Sequence, residues 1–260
     1  MTQKRMIVRI GHNMLSFLSL ENGKAQPAHA SIDMKSGISV PANLREAFKT
    51  LPLLEGQHPT ATVMTDTATT LVPDEEFAPE DAGVLFDHAF SGHQQEPKLY
   101  TEMPRLHAVA VFAVSKDLQS VLSDRFSQVE YMPVCLPVWQ HFGQRADGAR
   151  QCLYGYFHDD KLDLFAFSKH RFKFCNVFSA THSHDALYYL LSAFTQLGMK
   201  ADRDEVMLMG VTPHLKWLAD NLTRYISRTT VCDTEAVAAG SSAPLAFPLD
   251  THLLLTGSPL

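Results

Sequence analysis

Residues Lys4–Leu20 read KRMIVRIGHNMLSFLSL, and the middle of the chain repeats that pattern with Gln151–Phe157 (QCLYGYF) and Leu162–Phe167 (LDLFAF). Each stretch is an apolar run, a tight turn and a second apolar run, which predicts a pair of strands. Ile7-Val8-Arg9-Ile10 is the β-branched heart of the first strand, and Met14–Leu20 partly alternates apolar residues with Ser. A third strand follows in both places, over Gly23–Met34 and Arg171–Phe178. Glu21-Asn22-Gly23-Lys24 is a hairpin signal because Asn-Gly adopts the positive φ angles a tight turn needs. His158-Asp159-Asp160-Lys161 is the equivalent turn in the second copy.

Outward from each triplet the periodicity changes from two to that of a helix. Leu44, Ala47, Phe48 and Leu51 fall at i, i+3, i+4 and i+7, predicting a helix over Pro41–Leu51. Ala61–Thr65 is the next strand, with a short strand around Thr70–Val72 and a helix near Glu80–Phe90. The polar tract up to Pro104 reads as an exposed excursion, and His107–Val114 (HAVAVFAV) as a buried strand. Lys116–Phe126 is a helix, Val129–Pro133 a strand, and Leu136–Phe142 a helix whose Pro137 suits a first turn. In the second copy, Ser183–Leu197 is a helix capped by Gly198, Glu205–Met209 a strand, and Thr212–Ser227 a helix. The Pro-, Ala- and Ser-rich last 30 residues read as a tail over the body. Gly143–Arg150 (GQRADGAR) lacks an apolar stripe and is the expected boundary, giving halves over 1–145 and 146–260.

Each half therefore runs strand-strand-strand-helix-strand-helix. Hairpins supply antiparallel pairs, and a strand-helix-strand passage requires a parallel crossover. A mixed α/β sheet flanked by helices satisfies both. That is the ribonuclease-H-like arrangement, and two copies in tandem give the actin-like ATPase architecture.

Composition narrows the function. The 260 residues are 45% hydrophobic and 19% charged, with a net charge of −6. An acidic chain is not built for broad binding to nucleic acid or anionic membrane. No run approaches the ~20 apolar residues that span a bilayer, and Arg9, His12 and Asn13 interrupt any signal-peptide core. The expectation is a soluble cytoplasmic protein without membrane insertion. Cys135, Cys152, Cys175 and Cys232 form no CxxC pair, which predicts buried free thiols rather than a cysteine zinc site or a disulfide framework. Asn221-Leu222-Thr223 matches a glycosylation acceptor by coincidence within a helix.

The passage from Tyr154 to Ile226, with RFKFCNVFSATHSHDALYYLLSAFTQLGM, EVMLMG and LKWLADNLTRYI, resembles a Bacteroidetes protein family of unknown function. Thr69–Phe77 (TTLVPDEEF) fits a second motif of that family. The resemblance implies a fold similar to actin-like ATPases, in the style of their pilus-assembly and secretion members, and no known activity. Such ATPases open each half with an Asp-x-Gly turn, in which the carboxylate organises Mg²⁺ and the Gly amides approach phosphate. Here Gly11 matches, but Arg9 stands in the acid's place. In the second half Tyr154-Gly155-Tyr156 precedes His158-Asp159-Asp160, which leaves the acids in an exposed turn. Of an expected late glycine pair, only Gly210 is present. Arg9, Gly11, His12, Gly155 and Gly210 are therefore the candidate cleft positions, with no catalytic residue and no cofactor expected.

Other clusters have simpler accounts. His182-Ser183-His184-Asp185 offers two ring nitrogens and a carboxylate for Zn²⁺ or Ni²⁺, yet no distant further ligand is identifiable, so no metal is expected. Asp185 is more simply a helix-dipole partner. Asp66, Asp74, Glu75 and Glu76 read as a solvated loop. Arg171 and Lys173 alternate with Phe172 and Phe174 as on nucleic-acid-binding sheets, but the acidic chain favours a half-buried edge strand. Phe165, Phe167, Phe172, Phe174 and Phe178 are expected mostly beneath the following helix, against Tyr188, Tyr189 and Phe194. Any aromatic left exposed would anchor a protein partner.

The leading expectation is a non-hydrolysing binding or assembly module with an unidentified protein partner. The alternative is an enzyme or sensor that takes a nucleotide or phosphate compound in the cleft between the halves, with Arg9 facing the phosphate.

Overall fold

The computed structural model describes residues 4–21, 28–56, 59–144, 150–168, 171–232 and 247–256. Residues 22–24 of the expected first hairpin turn, 145–149 of the expected boundary and most of the C-terminal tail lie outside them. The chain begins β1 (Lys4–Ile10), β2 (Met14–Glu21), β3 (Ala28–Asp33), α1 (Val40–Thr50), β4 (Thr60–Thr65) and β5 (Thr69–Pro73). It continues through α2 (Ala82–Ala89), β6 (Lys98–Met103), β7 (Ala108–Ala113), α3 (Lys116–Ser123), β8 (Gln128–Pro133) and α4 (Leu136–Gly143). The remainder is β9 (Cys152–His158), β10 (Lys161–Ser168), β11 (Arg171–Ser179), α5 (Ser183–Gln196), β12 (Glu205–Gly210), α6 (Leu215–Leu222), β13 (Arg228–Val231) and α7 (Leu249–Leu255).

Two five-stranded sheets repeat one topology, with orders β3-β2-β1-β4-β8 and β11-β10-β9-β12-β13. In each, the first three strands are antiparallel neighbours and the last two are parallel to the first. This is the duplicated ribonuclease-H-like arrangement expected from the order of apolar runs. Contacts divide the chain into two compact units, one of Met1–Val72, Glu76–Thr101 and Ala110–Val134, the other of Pro73–Glu75, Glu102–Val109 and Cys135–Leu260. Thus α4 falls in the second unit.

In the first unit, strand alternation sends Met6, Val8 and Ile10 to one face, where they meet Leu15, Phe17 and Val63 under Leu44 of α1 and Leu118, Val121 and Leu122 of α3. The helices start where the sequence caps them: the Ser39 hydroxyl accepts from Ala42 N and the Ser115 hydroxyl from Leu118 N. Burial of each such large apolar side chain contributes about 1.5–3 kcal/mol. Most of β5, β6 and β7, a sheet of order β5-β7-β6, falls in the same unit.

The second unit's sheet is covered on both faces. Leu153, Phe157, Leu162, Leu164, Val206 and Leu208 pack against α5 and α6 through Leu190, Phe194, Leu218 and Leu222. Alternation turns Tyr154, Tyr156, Phe165 and Phe167 the other way, toward α4, whose Phe142 meets Tyr154 at 5.5 Å between ring centroids. Tyr154 stacks on Phe165 at 5.1 Å. The aromatic hairpin is therefore split, not gathered beneath α5 as expected. Only Phe174 and Phe178 join the α5 side, with Phe178 stacked on Tyr189 at 4.2 Å. A register shift opposite Ala166 and Phe167 lets Phe172 meet Phe167 while Phe174 packs on the other face.

Three elements differ from expectation, α7 within the expected tail and two strands. The excursion before Pro104 contains β6, and α6 ends at Leu222, short of the expected Ser227, with β13 following it. Both are short edge strands with polar side chains (KLYTEM and RTTV), so neither carries an apolar pattern. Among the described residues, no helix is long and apolar enough to cross a membrane.

Candidate functional site

The β9–β10 turn sets the geometry of the chemistry-bearing cluster. Asp159 and Asp160 sit at φ 48 and 59, the double left-handed turn that a two-residue hairpin requires and that Asp tolerates. Across the hairpin His158 pairs with Lys161 and Tyr156 with Asp163, so Tyr156, His158 and Asp163 share the face that α4 covers. Cys135 arrives on that face as the residue immediately before α4.

Three buried side chains meet there. Cys135, His158 and Asp163 are 5%, 6% and 1% exposed. His158 Nε2 lies 2.8 Å from Asp163 Oδ2 and 3.4 Å from Cys135 Sγ, and the Cys135 thiol donates to the same Asp163 oxygen. The other ring nitrogen, Nδ1, is 2.9 Å from Asp159 Oδ2. Tyr156 stacks on the imidazole at 4.8 Å, and its hydroxyl donates to Asp250 Oδ2 at 2.8 Å. Thr251 Oγ1 donates to Asp250 Oδ1, also at 2.8 Å. Asp163 Oδ1 is buried and has no hydrogen-bond partner among the described residues.

The electrostatics follow from burial and three carboxylates. Burial alone would lower the His158 pKa, but the hydrogen bonds of Asp159 and Asp163 and the charges of Asp163 and Asp250 outweigh it, and the value is pushed up to about 10. Burial first, and then Asp163, pushes the Cys135 thiol well above its ordinary range. Cys175 shifts the same way for the same two reasons. Among the described residues, Cys135, His158 and Asp163 form a group whose ligand atoms lie within 4.8 Å of one another.

Of the positions expected to line a cleft, Arg9, Gly11 and His12 fall in the first unit and Gly155 and Gly210 in the second. Arg9 is 2% exposed in mid-sheet, paired in register with Ser16 and Met64, and both it and exposed His12 are engaged by neighbours. Gly11 closes the β1–β2 turn by donating to Met14 O at 3.0 Å. Gly155 faces the leucine core, where a Cβ would stand 3.3 Å from Leu162, Leu190 and Leu208. Gly210 has φ 89, and a Cβ there would collide with the Phe157 carbonyl. A small pocket of about 70 Å³ opens beside Gly210, lined by Phe157, Asp160, Lys161, Thr181, Thr212 and His214 among others.

The other clusters resolve into local contacts. His182 caps α5 without a side-chain bond, and His184 packs on Trp217 at 4.8 Å. Glu75 takes Arg171 of edge strand β11 through two hydrogen bonds of 2.9 and 3.1 Å, and Asp74 faces His107 at 3.3 Å. The expectation that the hairpin acids are solvent-exposed holds for Asp160 but not for Asp159, whose side chain is 9% exposed because His158 draws it in. The sequence reading missed Cys135, His158 and Asp163 as a group. One signal was available: Asp163 is the single polar residue in LDLFAF, and a lone polar residue in a strand buried on both faces needs a partner.

Comparison with known proteins supports the fold. A Bacteroides thetaiotaomicron VPI-5482 protein with actin-like ATPase fold and unknown function superposes with a TM-score of 0.85 at 21% identity, covering 98% of this chain and 96% of that one. A chain of the PilM-PilN type IV pilus biogenesis complex gives a TM-score of 0.58 at 13% identity, over 98% and 99%. At those identities the likeness establishes the actin-like fold and nothing more. No protein of curated function matches. A family described as protein of unknown function (DUF3822) matches residues 1–229, and the chain belongs to that family.

Proposed function

We propose that this chain is a non-hydrolysing binding or assembly module built on the actin-like fold, acting through a protein partner. One observation carries the reading: the residue at the acid position of the first strand is a buried arginine, Arg9. A guanidinium stays charged at any working pH. It repels Mg²⁺ where an actin-like ATPase needs a carboxylate, so the residues present do not fit a metal–nucleotide complex held in the usual way. PilM, of similar fold, is found in a complex with PilN, which is a precedent for a partner-binding role on this architecture.

The test is Mg²⁺-dependent ATP turnover by the purified protein, alongside thermal-shift titrations with ATP, ADP and GTP. No turnover and no shift at millimolar nucleotide is the expected result. Turnover abolished by Gly11→Val would overturn the proposal.

A second reading has one feature in its favour. The pocket beside Gly210 brings Lys161, Thr181, Thr212 and His214 around a volume of about 70 Å³. That is well below the ~300–1,000 Å³ of small-molecule sites, so it suits a small anion better than a nucleotide. Saturable stabilisation by inorganic phosphate, lost in Lys161→Ala, would favour this reading.

A further inference from the structure

We propose that Cys135, His158 and Asp163 form a binding site for a divalent transition metal, Zn²⁺ first, held by one sulfur, one nitrogen and one oxygen. The donors come from three places in the fold, namely the start of α4, the end of β9 and the middle of β10. A metal there would tie α4 to the central hairpin of the second unit.

Geometry supports this in three ways. Tetrahedral Zn²⁺ with bonds of about 2.0–2.3 Å separates neighbouring ligand atoms by about 3.3–3.6 Å. Cys135 Sγ and His158 Nε2 already stand 3.4 Å apart, Nε2 and Asp163 Oδ2 at 2.8 Å need to open by about half an ångström to reach that range, and Cys135 Sγ and Asp163 Oδ2, which are closer still, must part further. Next, the imidazole is held as metal-binding histidines are. Its far nitrogen bonds a carboxylate, Asp159, at 2.9 Å, which fixes the ring with Nε2 turned to the other donors. Finally, Asp163 Oδ1 is an unpartnered oxygen on a residue 1% exposed, with its sister oxygen in the cluster. Buried carboxylate oxygens otherwise take a hydrogen bond or a cation.

Charge points the same way. Asp159 and Asp163 both touch the imidazole, and the Cys135 thiol donates to Asp163. A bound dication would stabilise the thiolate it ligates beside these carboxylates. On binding, the metal replaces one proton on Sγ and any proton on Nε2, and these leave to solvent. A nucleophilic role for Cys135 fits less well, since reactive thiolates sit in open electropositive surroundings, and this sulfur is buried against a carboxylate.

The test uses the full chain, freed of tag and treated with chelator, then equilibrated with Co²⁺ or Zn²⁺ and desalted. The expected result is close to one ion per chain, with a thiolate-to-cobalt charge-transfer band and tetrahedral cobalt d–d bands. Cys135→Ser should remove the charge-transfer band. Asp159→Asn, which leaves all three donors in place, should keep the band and weaken binding about 10–100-fold. The wild-type measurement decides the matter even if a variant fails to fold. Well under one ion per chain overturns the proposal. So does bound cobalt without the sulfur band, which would place the ion on surface histidines.

Discussion

Asp159 Oδ2 lies 2.9 Å from His158 Nδ1, and this contact between two adjacent residues decides which way a buried ring faces. With Nδ1 committed, Nε2 points at Asp163 and Cys135, 2.8 and 3.4 Å away. The turn makes it possible: at φ 48 the Asp159 side chain folds back over the end of β9 instead of reaching into solvent. A two-residue hairpin conformation is thus read out as the orientation of a side chain inside the sheet.

His158 bridges Asp159 and Asp163 inside the sheet, so removing it should be costly. In metal-free buffer, His158→Ala should destabilise by about 3–5 kcal/mol, because Asp163 is left as an uncompensated buried charge. Asp159→Asn keeps an acceptor for Nδ1 and should lose less, about 1–2 kcal/mol. Urea unfolding curves check both. A loss below about 1 kcal/mol for His158→Ala would mean the network supports nothing.

Tyr156 ties the same face to α7. Its hydroxyl donates to Asp250 Oδ2 at 2.8 Å while its ring stacks on His158. Tyr156→Phe keeps the ring and removes one hydrogen bond to the buried carboxylate, for an expected loss of about 1–3 kcal/mol. Leu253, 1% exposed on α7, should cost about 2–5 kcal/mol as Leu253→Ala. If α7 merely lies on the surface, both variants will unfold at the wild-type urea midpoint.

Three glycines should rank by what a Cβ meets. Gly210→Ala combines φ 89 with a collision against the Phe157 carbonyl, which is backbone and cannot step aside. Gly155→Ala presses on three leucine methyls at 3.3 Å, an overpacking cost of about 1–3 kcal/mol. Gly198, at φ 68 after α5, has nothing within 4 Å and should lose only about 1 kcal/mol to left-handed strain. The predicted order of thermal midpoints is therefore Gly198→Ala highest, Gly155→Ala next and Gly210→Ala lowest. A reversal of the last two would point to slack in the Phe157 turn.

The duplicated sheet was legible because its central strands are continuous apolar runs, and because the chain punctuates them with turns at Gly11 and at Asp159-Asp160. Edge strands β6 and β13 were hidden, since KLYTEM and RTTV carry too many polar side chains to show an apolar run, whether the partner is the next strand along, as for β6 with β7, or lies beyond a helix, as for β13 with β12. The cluster was half legible. His158 and Asp163 are 5 positions apart around a tight hairpin, and alternation alone puts them on one face. Cys135 lies 23 positions from His158 and reaches it only because α4 packs across the sheet, a tertiary fact with no local signature. Gly155 carried the opposite lesson. It has a packing reason, three leucines, that a motif comparison does not weigh.

Asp204 should make part of the stability pH-dependent in the acid range. It is fully buried just before β12 and accepts from Lys200 N at 2.7 Å and from Gln151 N at 3.2 Å, which pins the entry to β12 beside the entry to β9. The Arg203 hydrogen bonds lower its pKa most. Burial opposes them, and the Lys200 and Gln151 amides add to the lowering. With the folded value depressed, the unfolded chain binds the proton first as pH falls, so stability rises with pH through that window. The contribution is complete above the unfolded value near 3.9 and disappears as pH drops through the folded value. Asp204→Asn should therefore cost about 1–3 kcal/mol at pH 7, and the gap to wild type should close as pH falls below about 4. Arg203 is 55% exposed, and Arg203→Ala should barely move the urea midpoint at neutral pH, because water replaces most of what the guanidinium offers. Urea unfolding of the three proteins at several pH values separates these effects. A wild-type-to-Asn gap that stays constant from pH 7 to pH 3 would show that the Asp204 carboxylate is not lowered by folding, and that the two backbone amides alone account for its place in the structure.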